Sequence, residues 1–180
     1  MSRRVHPRHQ PRRGREQSLS RLEVVSDGSV MDDGRTCAAA VGSCGCRRAR
    51  LEVRSELSSV VAEAWGALLA VRLVLDHDVP IATWHTDQDG IRLHAGVLLA
   101  GELFMPPRTR YPDERRRPLL FLPPAERELL SALLRLACGR LELGQGGRRA
   151  VASAHRACDR LMGGHETPTS MARRCPLSQT

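Results

Sequence analysis

The sequence predicts an α/β domain in which three short strands form an antiparallel meander and helices then alternate with two further strands. Three observations carry that prediction. Apolar Leu51 and Val53 alternate with Arg50, Glu52 and Arg54, the period of a half-buried strand. Leu57, Val60, Val61, Ala64, Leu68, Val71 and Leu75 recur at helical spacing. A compact apolar run over residues 81–86 precedes a second helical pattern, so strand and helix repeat. The 180 residues suffice for one core, and 41% hydrophobic with 27% charged residues describes a globular body. Aromatics at 3% leave Leu, Val and Ala to do the packing.

Residues 1–20 set Arg3, Arg4, Arg8, Arg12, Arg13 and Arg15 among Pro, Gly and Ser, a composition that buries too little apolar surface to fold alone. A flexible basic arm is expected there. The first strand covers residues 22–25 and ends at Ser26-Asp27-Gly28-Ser29, and Asp32-Asp33-Gly34 turns the chain into a second strand over residues 36–41. The turn at residues 42–46 leads to the third strand. Ser58 or Ser59 caps the long helix, Pro80 opens the fourth strand, and residues 91–103 form the next helix. A charged, proline-rich connection over residues 106–118 follows. Pro123-Pro124 with Glu126 starts a helix through Ala137 that Gly139 stops. Residues 140–143 make a short strand, and Val151, Ala154, Cys158, Leu161 and Met162 share one face of a last helix. The domain is expected over residues 21–163, with a disordered tail over 164–180.

Twenty-eight basic residues, all arginine, against twenty acidic ones give a net charge of +8, which favours an anionic partner: nucleic acid first, an acidic membrane surface second. No apolar run is long enough to span a membrane, and no apolar segment follows the basic N-terminus to serve as a signal sequence. The expectation is a cytoplasmic protein. Cys37, Cys44, Cys46, Cys138, Cys158 and Cys175 are scattered and read as reduced structural thiols. Cys44 and Cys46 make a zinc site with His155 and Cys158 only if the fold joins them. Trp65 and Trp84 fall inside expected elements and read as core rather than as stacking platforms.

Four carboxylates lie beside apolar elements: Asp27 at the end of the first strand, Glu63 early in the long helix, Asp87 at the end of the fourth strand and Asp159 in the last helix. Glu63 and Asp159 fall ~110° from the centre of their helices' apolar stripes, on the flank and outside the core. Brought together, four such groups repel unless hard divalent cations hold them. Two magnesium ions ~4 Å apart then suit phosphodiester hydrolysis. The alternative is ordinary turn and cap chemistry.

Ser26-Asp27-Gly28-Ser29, Ala62-Glu63 within residues 58–68, Thr86-Asp87 before Ile91, and Ala157-Cys158-Asp159-Arg160-Leu161 resemble, in that order, the four signatures of the type 1 ribonuclease H family. The resemblance spans residues 21–163. It implies a five-stranded mixed sheet with helices on both faces, and endonucleolytic cleavage of the RNA strand of an RNA/DNA hybrid; the protein is expected to be a monomer. It further implies Asp27, Glu63, Asp87 and Asp159 as ligands of Mg2+, with Mn2+ as the alternative ion. Gly28, Ser29 and Ser59 beside the carboxylates, with Arg108 and Arg110 in the basic connection, are the expected contacts to nucleic acid.

The chain departs from the family pattern at three places. Gly144-Gln145-Gly146-Gly147 lacks the loop histidine, and His155 stands inside the helix as a candidate for supporting a metal ligand. Ser59 and Val60 replace asparagines before the glutamate. Gln88-Asp89-Gly90 makes Asp89 a rival to Asp87, which is preferred because it directly ends the apolar strand. A nucleic-acid-binding module without useful turnover is the second reading, and a partner-binding protein that takes no divalent ion is the third.

Overall fold

Leu22, Val24 and Ser26 are buried on one face of β1 (Arg21–Val30), and Asp27 is buried on the other, as the two-residue period of a strand requires. The computed structural model describes residues 21–53, 58–100, 118–144 and 149–172; the expected basic arm and Arg108 and Arg110 lie outside the described residues. β1 runs on through Ser26-Asp27-Gly28-Ser29, where the sequence leads one to expect a turn. Every residue from Val24 to Val30 is paired with β2 (Arg35–Gly42), and that ladder outweighs the local preference of Asp-Gly. The reversal comes later, at Met31 to Gly34, with Gly34 at φ 82° and its N–H donating to the Met31 carbonyl. Asp27 is therefore held within a strand rather than at its end.

β3 (Arg47–Val53) pairs antiparallel with β2 and completes the meander. The chain then enters α1 (Ser59–Leu75), where the Ser58 hydroxyl accepts from the Val61 N–H at 3.4 Å. β4 (Ile81–His85) returns parallel to β1 and leads into α2 (Asp89–Leu99). A 3-10 turn at Pro118–Phe121 precedes α3 (Pro124–Ala137), which begins on its proline and stops at Gly139, φ 87°. β5 (Leu141–Leu143) pairs parallel with β4, and α4 (Ala152–Met162) follows. The sheet order is β3-β2-β1-β4-β5, a five-stranded mixed sheet. Part of the expected tail is ordered: α5 (Pro168–Met171) is closed by a capping box between Thr167 and Ser170 and packs against β3.

Both faces of the sheet are covered. Ala38 and Ala40 of β2 face α1 in the main core, while Cys37 and Ala39 face Ala157, Cys158, Leu161 and Met162 of α4. α1 itself lies between the sheet and α3, so it is buried almost all the way round rather than along one stripe. Glu63, expected on the flank of that stripe, is consequently buried, at 7% exposure. Trp65 and Trp84 are both core. Trp84 Nε1 donates to Ser26 Oγ at 2.9 Å and Trp65 Nε1 to Glu126 Oε2 at 2.8 Å, with the Arg50 guanidinium 3.7 Å above the Trp65 ring. Cys44 and Cys46 occupy the β2–β3 turn, beside Glu23, whereas Cys158 lies under Asp27. The fold thus separates the four residues of the expected zinc site. No helix among the described residues is long and apolar enough to cross a membrane.

Candidate functional site

The parallel pairing of β1 with β4 ends at Val25 and His85, and beyond that pair the two strands part, β1 toward its hairpin and β4 into α2. Asp27 and Asp87 each lie two residues past the fork. Crevices of this kind, at the carboxyl ends of adjacent parallel strands, are where open α/β sheets hold their ligands. The third carboxylate arrives from α1. A Cβ on Gly28 would stand 2.2 Å from the Ala62 carbonyl carbon and 2.4 Å from the Glu63 nitrogen, and one on Gly66 3.2 Å from the Asp27 oxygen. Helix and strand therefore touch backbone to backbone, and Glu63 is delivered beside Asp27. One ligand oxygen from each of Asp27, Glu63 and Asp87 lies within 4.8 Å of the others.

Electrostatics make this cluster costly without a cation. Burial first, and then the charges of Asp27 and Asp87, push the Glu63 carboxyl up to about 9, against hydrogen bonds from the Gly28 backbone and the Gln88 side chain. Burial also raises Asp27, opposed by its hydrogen bond to His155. Glu63 Oε2 and Asp87 Oδ1 are buried with no hydrogen-bond partner among the described residues. Carboxyl oxygens left unpartnered, which only accept and repel one another once ionised, fit a hard divalent ion such as Mg2+ or Mn2+ and no soft one.

A stability prediction follows from Glu63 alone. Between its unfolded value of 4.5 and about 9, the unfolded chain ionises this group while the folded chain keeps it protonated. The unfolded state gains with rising pH, so stability in chelator falls across that window with a slope approaching ~1.4 kcal/mol per pH unit from this group. Chemical denaturation at a series of pH values, in EDTA, should show Glu63→Gln with a flatter profile than the wild type.

The sequence-derived candidates fall into distinct positions. Asp87 belongs to the cluster, whereas Asp89 begins α2, is 81% exposed and pairs with Arg92 at 3.1 Å. His155 is half in solvent, and its Nδ1 meets Asp27 Oδ2 at 2.9 Å. Asp159 stands one turn behind it on α4, 62% exposed, with Oδ2 3.8 Å from His155 Nε2. The structure brings three of the four expected carboxylates together and connects the fourth through the imidazole. Cys158 lies beneath Asp27, its Sγ donating to the Asp27 carbonyl at 3.6 Å, and its hydrogen bond with Cys37, with burial next, pushes the thiol well up. Ser29 is half-buried on the same strand face as Asp27, and Ser59 is exposed at the start of α1.

An open cleft of about 410 Å³ is lined by Asp27, Gly28 and Asp87 and, from the start of α4, by Val151, Ala152, His155 and Arg156. Arg156 is a site residue that the sequence analysis passed over. Its signal is spacing: Ala152, His155 and Arg156 stand at i, i+3 and i+4 and so share one face of α4.

No family model matches the chain, and no curated protein matches it in sequence. Solved structures do match. Ribonuclease H1 from the halophilic archaeon Halobacterium salinarum NRC-1 superimposes with a TM-score of 0.54 at 16% identity, covering 80% of this chain and 98% of that one. The N-terminal ribonuclease H domain of a Mycobacterium tuberculosis protein, solved as a fusion with maltose-binding protein, gives 0.54 at 15% identity over 82% and 99%. A foamy viral protease-reverse transcriptase in complex with dsDNA gives 0.53 at 9% identity over 81% and 94%. Strand order, helix placement and these superpositions agree that the chain has the ribonuclease H-like α/β fold.

Proposed function

We propose that the protein is a divalent-cation-dependent endonuclease that hydrolyses the RNA strand of RNA/DNA hybrids. The observation that carries this reading is the convergence of Asp27, Glu63 and Asp87 at the strand fork, with two oxygens left unpartnered. Magnesium held there would supply Lewis acidity, activating a water and neutralising charge that develops on the scissile phosphate. The chain's own residues orient and screen. Asp27, Glu63 and Asp87 present hard oxygens from three separate elements, so their spacing is set by the packing of α1 on β1. His155 holds Asp27 in one orientation through Nδ1, and the Asp159 carboxylate draws Nε2 outward. Asp159 is assigned the fourth place, reached from the rim of the cleft. Arg156, on the cleft wall, offers a guanidinium fork to a backbone phosphate, and Arg108 and Arg110, outside the described residues, are assigned further phosphate contacts. Gly28, Ser29 and Ser59 border the same cluster and are assigned to the nucleic-acid strands.

A second reading, a hybrid-binding module without turnover, is favoured by one observation: the His155 ring stands between Asp159 and the cluster. Incubation with end-labelled RNA/DNA hybrid, double-stranded RNA and single-stranded RNA, in magnesium, manganese or EDTA, separates the two. Hybrid-selective, EDTA-sensitive cleavage supports the nuclease. Tight hybrid binding without cleavage in either metal replaces it with the binding module, and neither activity overturns both.

A further inference from the structure

Cys44, Cys46 and His77 form a second group of ligand atoms, all within 4.8 Å of one another, outside the carboxylate cluster. His77 lies fourteen positions after Glu63 along largely helical chain, so the group lies ~20 Å away, at the opposite end of the sheet. We propose that these three residues bind a zinc-class divalent ion that fastens the β2–β3 turn to the end of α1.

The turn is built to present both thiols. Gly45 sits between them at φ 85°, a conformation that suits glycine, and its N–H donates to the Gly42 carbonyl at 2.9 Å. The Gly42 N–H in turn donates to the Cys46 carbonyl at 2.9 Å, and the Ser43 N–H to the Glu23 carbonyl at 2.8 Å, anchoring the turn to β1. Cys44 Sγ consequently lies 2.8 Å from Cys46 Sγ and 3.3 Å from His77 Nε2. Cys46 is 1% exposed, His77 6%, and Cys44 half-buried, so the group faces inward from the surface.

The histidine is prepared as a ligand. His77 Nδ1 lies 2.7 Å from the Leu73 carbonyl, which can only accept, so Nδ1 carries the ring proton and Nε2 presents its lone pair to Cys44. Metal-binding histidines are oriented by this kind of bond from the second ring nitrogen. The site also follows the last turn of α1, where outward-facing carbonyls favour a cation. Two thiolates and an imidazole suit zinc or cobalt(II) and reject magnesium, so the ion differs in class from the one expected at the carboxylates. Binding releases one proton from each thiol to solvent and needs no proton from His77. With metal–sulfur bonds of ~2.3 Å the sulfurs would stand ~3.7 Å apart, an opening of ~1 Å that half-buried Cys44 can supply. A fourth position remains for water.

The test is a cobalt(II) titration of the full chain, reduced with a phosphine and freed of metal. The carboxylate cluster cannot produce a thiolate-to-cobalt charge-transfer band, and loss of that band in Cys44→Ser and Cys46→Ser distinguishes this site from the other free thiols. The expected result is one equivalent of cobalt bound with the band, displacement by zinc, and a rise of several degrees in melting temperature with zinc. Cys44→Ser, at a half-buried position, should fold and lose both the band and the thermal shift, as should Cys46→Ser. His77→Gln should weaken cobalt affinity at least tenfold. Absence of the band in the reduced wild type, or a band of unchanged intensity in Cys44→Ser and Cys46→Ser, would overturn the proposal.

Discussion

Asp27→Asn is expected to lower hybrid cleavage about 1,000-fold, the ~4 kcal/mol of barrier that loss of a charged metal ligand at the centre of the cluster should cost. The same change should make the metal-free protein more stable, since it removes one of the three carboxylates whose repulsion and burial oppose ionisation at this site. A gain of ~1 kcal/mol, or about 3 °C in melting temperature for a chain of this size, is the expected magnitude in EDTA. Opposite signs for activity and stability mark a ligand rather than a structural residue. Asp159→Asn, at a largely exposed position reached only through His155, should keep measurable cleavage. Steady-state cleavage rates and thermal melts on the three proteins check both halves. An Asp27→Asn enzyme of wild-type activity would remove the nuclease reading.

Gly28→Ala should be the most damaging small substitution in the described chain. The added methyl would stand 2.2 to 2.4 Å from three backbone atoms of Ala62 and Glu63, and no side-chain rotation relieves backbone contact. α1 must then retreat from β1, opening the main core along its longest shared face. A loss of about 3–5 kcal/mol, on the order of 10 °C in melting temperature, is expected, or failure to accumulate as folded protein. Gly96→Ala is the matched control. It lies in α2, where the nearest atom is the tip of Leu143 at 3.4 Å, and should be neutral or stabilising by up to ~1 kcal/mol. Equal effects of the two substitutions would contradict the close-packing account of Gly28.

Much of this architecture is legible locally. The α3 boundaries follow from proline at its start and a left-handed glycine after its end, and α1 from its helical period and a serine cap. The resemblance of four short motifs orders Asp27, Glu63 and Asp87 along the chain before any of them is seen to meet. What local reading misses depends on distant partners. Asp-Gly at residues 27–28 has the chemistry of a turn, yet β2 pairing carries the strand through it. Glu63 reads as a flank residue because the groups that enclose it, Gly28 and Asp27 on β1 and Asp87 and Gln88 before α2, lie far from it in the sequence. The contact of His155 rather than Asp159 with Asp27 depends on how α4 seats Cys158 against Cys37, which no periodicity reveals. Cys44, Cys46 and His77 share no spacing pattern, and only the return of α1 to the hairpin end brings them together.

The central claim is that Asp27, Glu63 and Asp87 hold hard divalent ions, and manganese binding to the purified chain tests it most directly. Titration calorimetry at neutral pH, with Asp27→Asn, Asp87→Asn and Asp89→Asn in parallel, assigns the ligands without relying on turnover. Saturable binding by the wild type and by Asp89→Asn, with loss in Asp27→Asn and Asp87→Asn, is the predicted result. No saturable binding by the wild type, or equal affinity in Asp27→Asn, would contradict the account.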